Sequence, residues 1–84
     1  MPLEAVAETS PGRETLSRSL AELNRALELN PNLLPALFNR ALCWEALGQS
    51  NEAKRDWRNY IDKDRASEWS SEAQQHLDSL ERRD

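Results

Sequence analysis

Two segments of this chain read as helix endings and lie 34 residues apart: Ala26-Leu27-Glu28-Leu29-Asn30-Pro31 and Tyr60-Ile61-Asp62-Lys63-Asp64-Arg65. A period of this length constrains the fold more tightly than composition does. Each unit is then one supersecondary element that buries its apolar face only by stacking on its neighbours. Composition agrees with a helical unit. Val6, Thr9, Thr15 and Ile61 are the only β-branched residues, while Leu, Ala, Glu, Arg, Gln and Lys dominate, a mixture that favours helices over sheets. The expected fold class is all-α, with about four helices in antiparallel helix-turn-helix order.

The first helix is marked by Leu16, Leu20, Leu23 and Leu27, spaced by four, three and four residues along one face of a 3.6-residue period. Ser10-Pro11 supplies a start signal, the serine as cap and the proline in the first turn. Residues 1–9 are expected to form a flexible lead, and 10–84 the helical domain. Pro31 ends this helix, because proline disfavours helical backbone in the residue before it. Leu34-Pro35 opens the second, with Leu37, Ala41, Trp44 and Leu47 on one stripe and Phe38, Leu42 and Ala46 on another. Two stripes imply burial on two sides. Gly48 closes it at a left-handed position, and Ser50 is the expected cap of the third helix. There Ala53, Trp57, Tyr60 and Ile61 face inward, and Lys54, Arg55, Asp56 and Arg58 face solvent or its borders. Ser67 caps a fourth helix bearing Trp69, Ala73, Leu77 and Leu80, with Asp78 and Arg82 spaced for an ion pair.

The residues within the period carry a resemblance as well as its length. With Leu34 as first residue, Ala41, Trp44, Gly48, Ala53, Trp57 and Tyr60 stand at positions 8, 11, 15, 20, 24 and 27. The chain thus resembles the tetratricopeptide repeat family, with a complete unit at 34–67, the second helix of a preceding unit at about 16–33 and a capping helix at 68–82. The stretch ending in SEWSSEAQQHL looks especially like bacterial repeats, in which a tryptophan-bearing capping helix follows the last unit. Three departures stand out: Arg40 where leucine is usual, Tyr60 for alanine and Arg65 for proline. The tyrosine suggests looser packing beside the capping helix, and the arginine suggests that the stack is ending.

The resemblance implies a protein-interaction scaffold of non-catalytic function. In this family the first helix of each unit lines a groove, which assigns Phe38, Asn39, Leu42 and Glu45, flanked by Pro35 and Ala46, to a protein or peptide partner. Apolar anchors would supply affinity there and the polar pair orientation. The alternative is that Phe38 and Leu42 pack inside the stack. Of the family residues that clamp a partner's terminal carboxylate, only Asn39 is matched, which argues against that ligand. About two units are fewer than the three a stack usually needs. Leu16, Leu20, Leu23 and Leu27 therefore form a candidate self-association face, to be covered by a second copy in a homo-oligomer, by the N-terminal lead folding back, or by further repeats if the chain is the terminal capping unit of a larger repeat protein. The alternative is a monomer in which the second helix covers all four.

Other functions fit poorly. The chain is 84 residues long with a formal net charge of −4, too short for a second domain and too acidic for general affinity to nucleic acid or anionic lipid. Lys54, Arg55 and Arg58 surround Trp57, but a core tryptophan cannot also stack on a base. No stretch approaches the roughly 20 apolar residues that span a bilayer, and the N-terminus has no apolar signal core. The expected location is cytoplasmic, since the lone Cys43 forms no internal disulfide. Cys43 reads as a small buried residue and His76 as a surface residue. Glu68 and Glu72 sit among solvated neighbours where nothing prepares them for proton transfer. No catalytic residue, metal ligand or cofactor is expected.

Overall fold

The computed structural model describes residues 12–83. Four helices follow one another: α1 (Arg13–Leu29), α2 (Leu34–Ala46), α3 (Ser50–Lys63) and α4 (Glu68–Arg83). No strand occurs among the described residues, so the fold is all-α. The proposed start at Ser10-Pro11 and the lead at 1–9 lie outside the described residues. Within them α1 begins after Gly12, which has extended backbone (φ −68°, ψ 169°).

The 34-residue period recurs in the backbone. α1 closes at Leu29 and α3 at Lys63, while α2 opens at Leu34 and α4 at Glu68. The two closing residues share one geometry: Asn30 has φ −146° and ψ 92°, Asp64 φ −138° and ψ 93°. Each donates its N–H to the carbonyl four residues back, on Ala26 and Tyr60 respectively. Each also folds its side chain onto the link that follows, Asn30 Oδ1 accepting from the Asn32 amide at 3.1 Å and Asp64 Oδ1 from the Ser67 amide at 3.4 Å. Short Asx side chains suit this role, since they satisfy local amides while the chain leaves the helix.

Between α2 and α3 the turn is built differently. The Gln49 amide reaches Trp44 O at 2.8 Å and the Gly48 amide reaches Glu45 O at 3.0 Å, the paired bonds of a Schellman ending. Gly48 has φ +78°, a left-handed conformation that a side chain disfavours. α3 then starts at Ser50 after Gln49, with no side-chain cap, so Ser50 is its first residue rather than its cap. Ser67 does cap α4: its Oγ accepts from the amides of Trp69 at 3.2 Å and Ser70 at 3.4 Å. On α4, Asp78 accepts from Gln74 and Arg82 reaches the Asp78 carbonyl; the side-chain ion pair expected from their spacing is replaced by these contacts.

Consecutive helices pack in series, α1 on α2, α2 on α3 and α3 on α4. One apolar cluster runs through all four, from Leu16, Leu23 and Leu27 through Leu37, Phe38, Ala41 and Cys43 to Ala53, Trp57, Tyr60, Ala73, Leu77 and Leu80. α2 is the most enclosed helix, although of its two stripes Ala46 is exposed and Leu42, Trp44 and Leu47 are half-buried. Ala41, Ala53, Trp57 and Tyr60 are fully buried. Trp44 is only half-buried, because it borders an open cleft beside Arg40, Glu52 and Arg55. Tyr60 packs tightly, contrary to the looser packing its size suggested. Its ring meets Phe38 edge-on at 5.3 Å and its hydroxyl donates to Asp64 at 2.8 Å.

Candidate interaction face

The α2 residues assigned to a partner divide sharply. Phe38 and Asn39 are buried, at 2% and 3% exposure, while Leu42 and Glu45 are half-buried. Phe38 therefore does not face an open groove. α4 lies over it: Trp69 approaches its ring at 5.5 Å and His76 at 6.5 Å, while from α3 Trp57 meets it at 4.8 Å and Tyr60 at 5.3 Å, all close to perpendicular. Edge-to-face aromatic pairs at these separations add to the burial of their surface. Phe38 is thus the hub of an aromatic seam joining α2, α3 and α4.

At the border of this seam one carboxylate serves two helices. Glu45 Oε2 accepts from Trp57 Nε1 of α3 at 2.7 Å and lies 2.8 Å from His76 Nδ1 of α4. The imidazole is stacked nearly flat on the Trp57 indole, centroids 4.6 Å apart and planes 18° off parallel. The hydrogen bond that His76 donates to Glu45 raises the histidine pKa above its ordinary value, burial opposes it, and the charges of Glu45 and Glu72 add to the rise. His76 is therefore not the simple surface residue expected from its neighbours in sequence. Its partner lies 31 positions away, a separation no local pattern reports.

The other side of α2 meets α1. Leu16, Leu23 and Leu27 are buried there and Leu20 packs against the same cluster, so the four leucines do not form the open face expected of them. The amphipathic stripe of α1 finds its apolar partner within the chain. Arg40, which stands in a leucine position of the resembled repeat, fastens this side. Its Nε and Nη2 donate to Asp56 at 2.7 and 2.8 Å, and its Nη1 to Asn24 of α1 at 3.1 Å. Asp56 is consequently buried, at 3% exposure, rather than turned to solvent. The planar guanidinium suits this fork-shaped contact.

Beside the clasp lies a cleft of about 340 Å³ lined by Asn24, Leu27, Glu28, Pro31, Leu37, Arg40 and Asn59. The end of α1 and the α1–α2 link carry the exposed large apolar side chains of the described residues, Leu29 at 76% and Leu33 at 37%. Lys63 Nζ donates to Asn32 at 2.7 Å and ties this link to the end of α3.

Burial pushes the Cys43 thiol up, away from the thiolate a nucleophile requires. Among the described residues no cluster of three His, Cys, Asp or Glu side chains is arranged to hold a metal ion. Nor is any described helix long and apolar enough to cross a membrane. No protein-family profile, curated protein or solved structure matches this chain.

Proposed function

We propose that the chain is a non-catalytic protein-interaction module built on tetratricopeptide-like helical units, with a protein or peptide as partner. The observation that carries this reading is the recurrence of helix ends and cap geometry after 34 residues, at Asn30 and Asp64. A repeated helical pair supports this reading, since stacked units hold long faces rigid for a partner. The buried thiol of Cys43 suits a reducing compartment and supports a cytoplasmic location.

With Phe38 and Asn39 enclosed, the contact surface moves to the end of α1 and the α1–α2 link, where Leu29 and Leu33 are exposed and Pro31 lines the cleft. Immobilised protein would be used to capture partners, each then purified and titrated against wild type and L29S/L33S. A weakening of tenfold or more, about 1.4 kcal/mol, with unchanged helical content is expected. Equal affinity of the two proteins for every captured partner would refute this surface.

A second reading, the terminal capping unit of a larger stack, draws on α4. Its outward residues Ser71, Glu72, Gln74, Gln75, Asp78 and Glu81 are exposed and polar, as the closing helix of a repeat array requires. Homo-oligomerisation through the α1 leucines loses its motive, because those side chains are already covered.

A further inference from the structure

We propose that Glu45 and His76 form a proton-operated latch that fastens α4 over Phe38. The geometry concentrates two contacts on one titratable ring. His76 Nδ1 meets the Glu45 carboxylate of α2 at 2.8 Å, and the ring face lies on Trp57 of α3 with centroids 4.6 Å apart. Protonation strengthens both. An imidazolium donates a charge-assisted bond to the carboxylate, and a cation over an indole face is attracted by the ring quadrupole. Neutral imidazole retains only an uncharged Nδ1–H bond or turns a lone pair toward the carboxylate oxygen. Glu45 Oε2 also receives the Trp57 N–H, so the group that senses the proton is tied to all three helices of the seam.

The charges around His76 favour the latched form. α2 contributes Glu45, and α4 itself contributes Glu72 one turn earlier; both raise the histidine pKa. On α3, Lys54 lies one turn before Trp57 in sequence and Arg58 is the residue after it. Arg58 is drawn to Glu81 of α4 at 2.7 Å, and Lys54 is half-buried and already engaged. The folded pKa thus lies above the unfolded value of about 6.5. A group of this kind contributes its full stabilisation below pH 6.5 and loses it as pH rises through the folded value. α4 is held most firmly in mildly acidic solution and loosens on the alkaline side, uncovering the Phe38 ring.

His76 is the only histidine, so its Hε1 proton resonance titrates without overlap. The expected wild-type midpoint lies above 6.5, and E45Q lowers it. Hydrogen exchange, corrected for intrinsic chemistry, should show the opening constant at the Ala73, Leu77 and Leu80 amides rising several-fold between pH 6.0 and 8.5. Leu23 and Leu27 in α1 should stay level. In H76F, which keeps a ring on Trp57 but carries no proton, the α4 opening becomes independent of pH over this range. A wild-type midpoint at or below 6.5, or the same pH dependence in H76F as in wild type, overturns the latch. Should E45Q fail to fold, the wild-type titration and the H76F comparison decide between these outcomes.

Discussion

α2 is flanked by two seams that follow one plan with opposite chemistry. Toward α1 the contact is aliphatic, with Leu16, Leu23 and Leu27 of α1 in one cluster with Leu37 of α2, and its border is fastened by Arg40 of α2 to Asp56 of α3 and Asn24 of α1. Toward α4 the contact is aromatic, centred on Phe38, and its border is fastened by Glu45 of α2 to Trp57 and His76. In the first seam α2 supplies the cation; in the second it supplies the anion. A guanidinium remains charged at any pH a protein survives, whereas imidazole titrates within the physiological range. The same device, one charged side chain joining three helices, is therefore fixed on one side of α2 and adjustable on the other.

The strongest way to break this comparison is to remove Trp57. It is fully buried, meets Phe38 edge-on, carries the His76 ring and donates to Glu45. W57A should cost about 3–5 kcal/mol in urea denaturation, a large part of the roughly 4–12 kcal/mol typical for a chain of this size. A loss below about 1 kcal/mol would mean that the aromatic seam does not carry the core. W57F, which keeps a ring and removes the N–H, separates packing from the Glu45 bond and should fall between W57A and wild type.

The α1 seam is tested at Asp56. D56A leaves the Arg40 guanidinium, with 23% of its side chain exposed, without its two strongest acceptors. Loss of hydrogen bonds to a charged group costs about 1.5–3 kcal/mol. The double substitution R40L/D56L should recover much of that, because a well-packed apolar pair often replaces a buried ion pair without loss. Thermal unfolding of the single and double variants would check the order. A double variant less stable than D56A would show that the clasp specifies the α1 seam rather than filling a leucine position with charge.

These expectations also separate what the sequence displays from what it hides. The helix boundaries were legible because their causes are local: proline at Pro31 and Pro35, the positive φ of Gly48 and the Ser67 cap act within a turn of their own positions. The period was legible because Asn30 and Asp64 solve the same local problem twice. Neither clasp was legible. Arg40 and Asp56 are 16 positions apart and Glu45 and His76 are 31 apart, so helical spacing alone left Asp56 and His76 on the solvated side. Nor did the α2 pattern distinguish a ring offered to a partner from one covered by α4. Phe38 satisfies both descriptions, and only the placement of Trp69 and His76 above it chooses between them. The weakest sign available was compositional: Trp69 and His76 lie on the same helix, separated by two turns, within reach of one large aromatic residue.

The smallest effect is expected at Tyr60, and it sharpens the contrast from the alkaline end. Its ring is enclosed by the Phe38 seam, and its hydroxyl shares Asp64 Oδ2 with the Ser67 hydroxyl. Burial first, then the Asp64 bond and charge, push the phenol up to about 12. The neutral phenol is thus the form the fold prefers. Its stabilisation is complete below the ordinary phenol value of about 10 and is lost as pH rises toward about 12. Y60F should lower stability at neutral pH by about 1 kcal/mol, the net value of one hydrogen bond, and should flatten the fall in melting temperature between pH 9 and 11. Because the Tyr60 hydroxyl is bonded to Asp64 in the link that leads into α4, while α1 is held by its leucines and by Arg40, exchange in this range should quicken in α4 before α1. Equal acceleration in both helices would place the alkaline weakness in the whole chain and not in the aromatic seam.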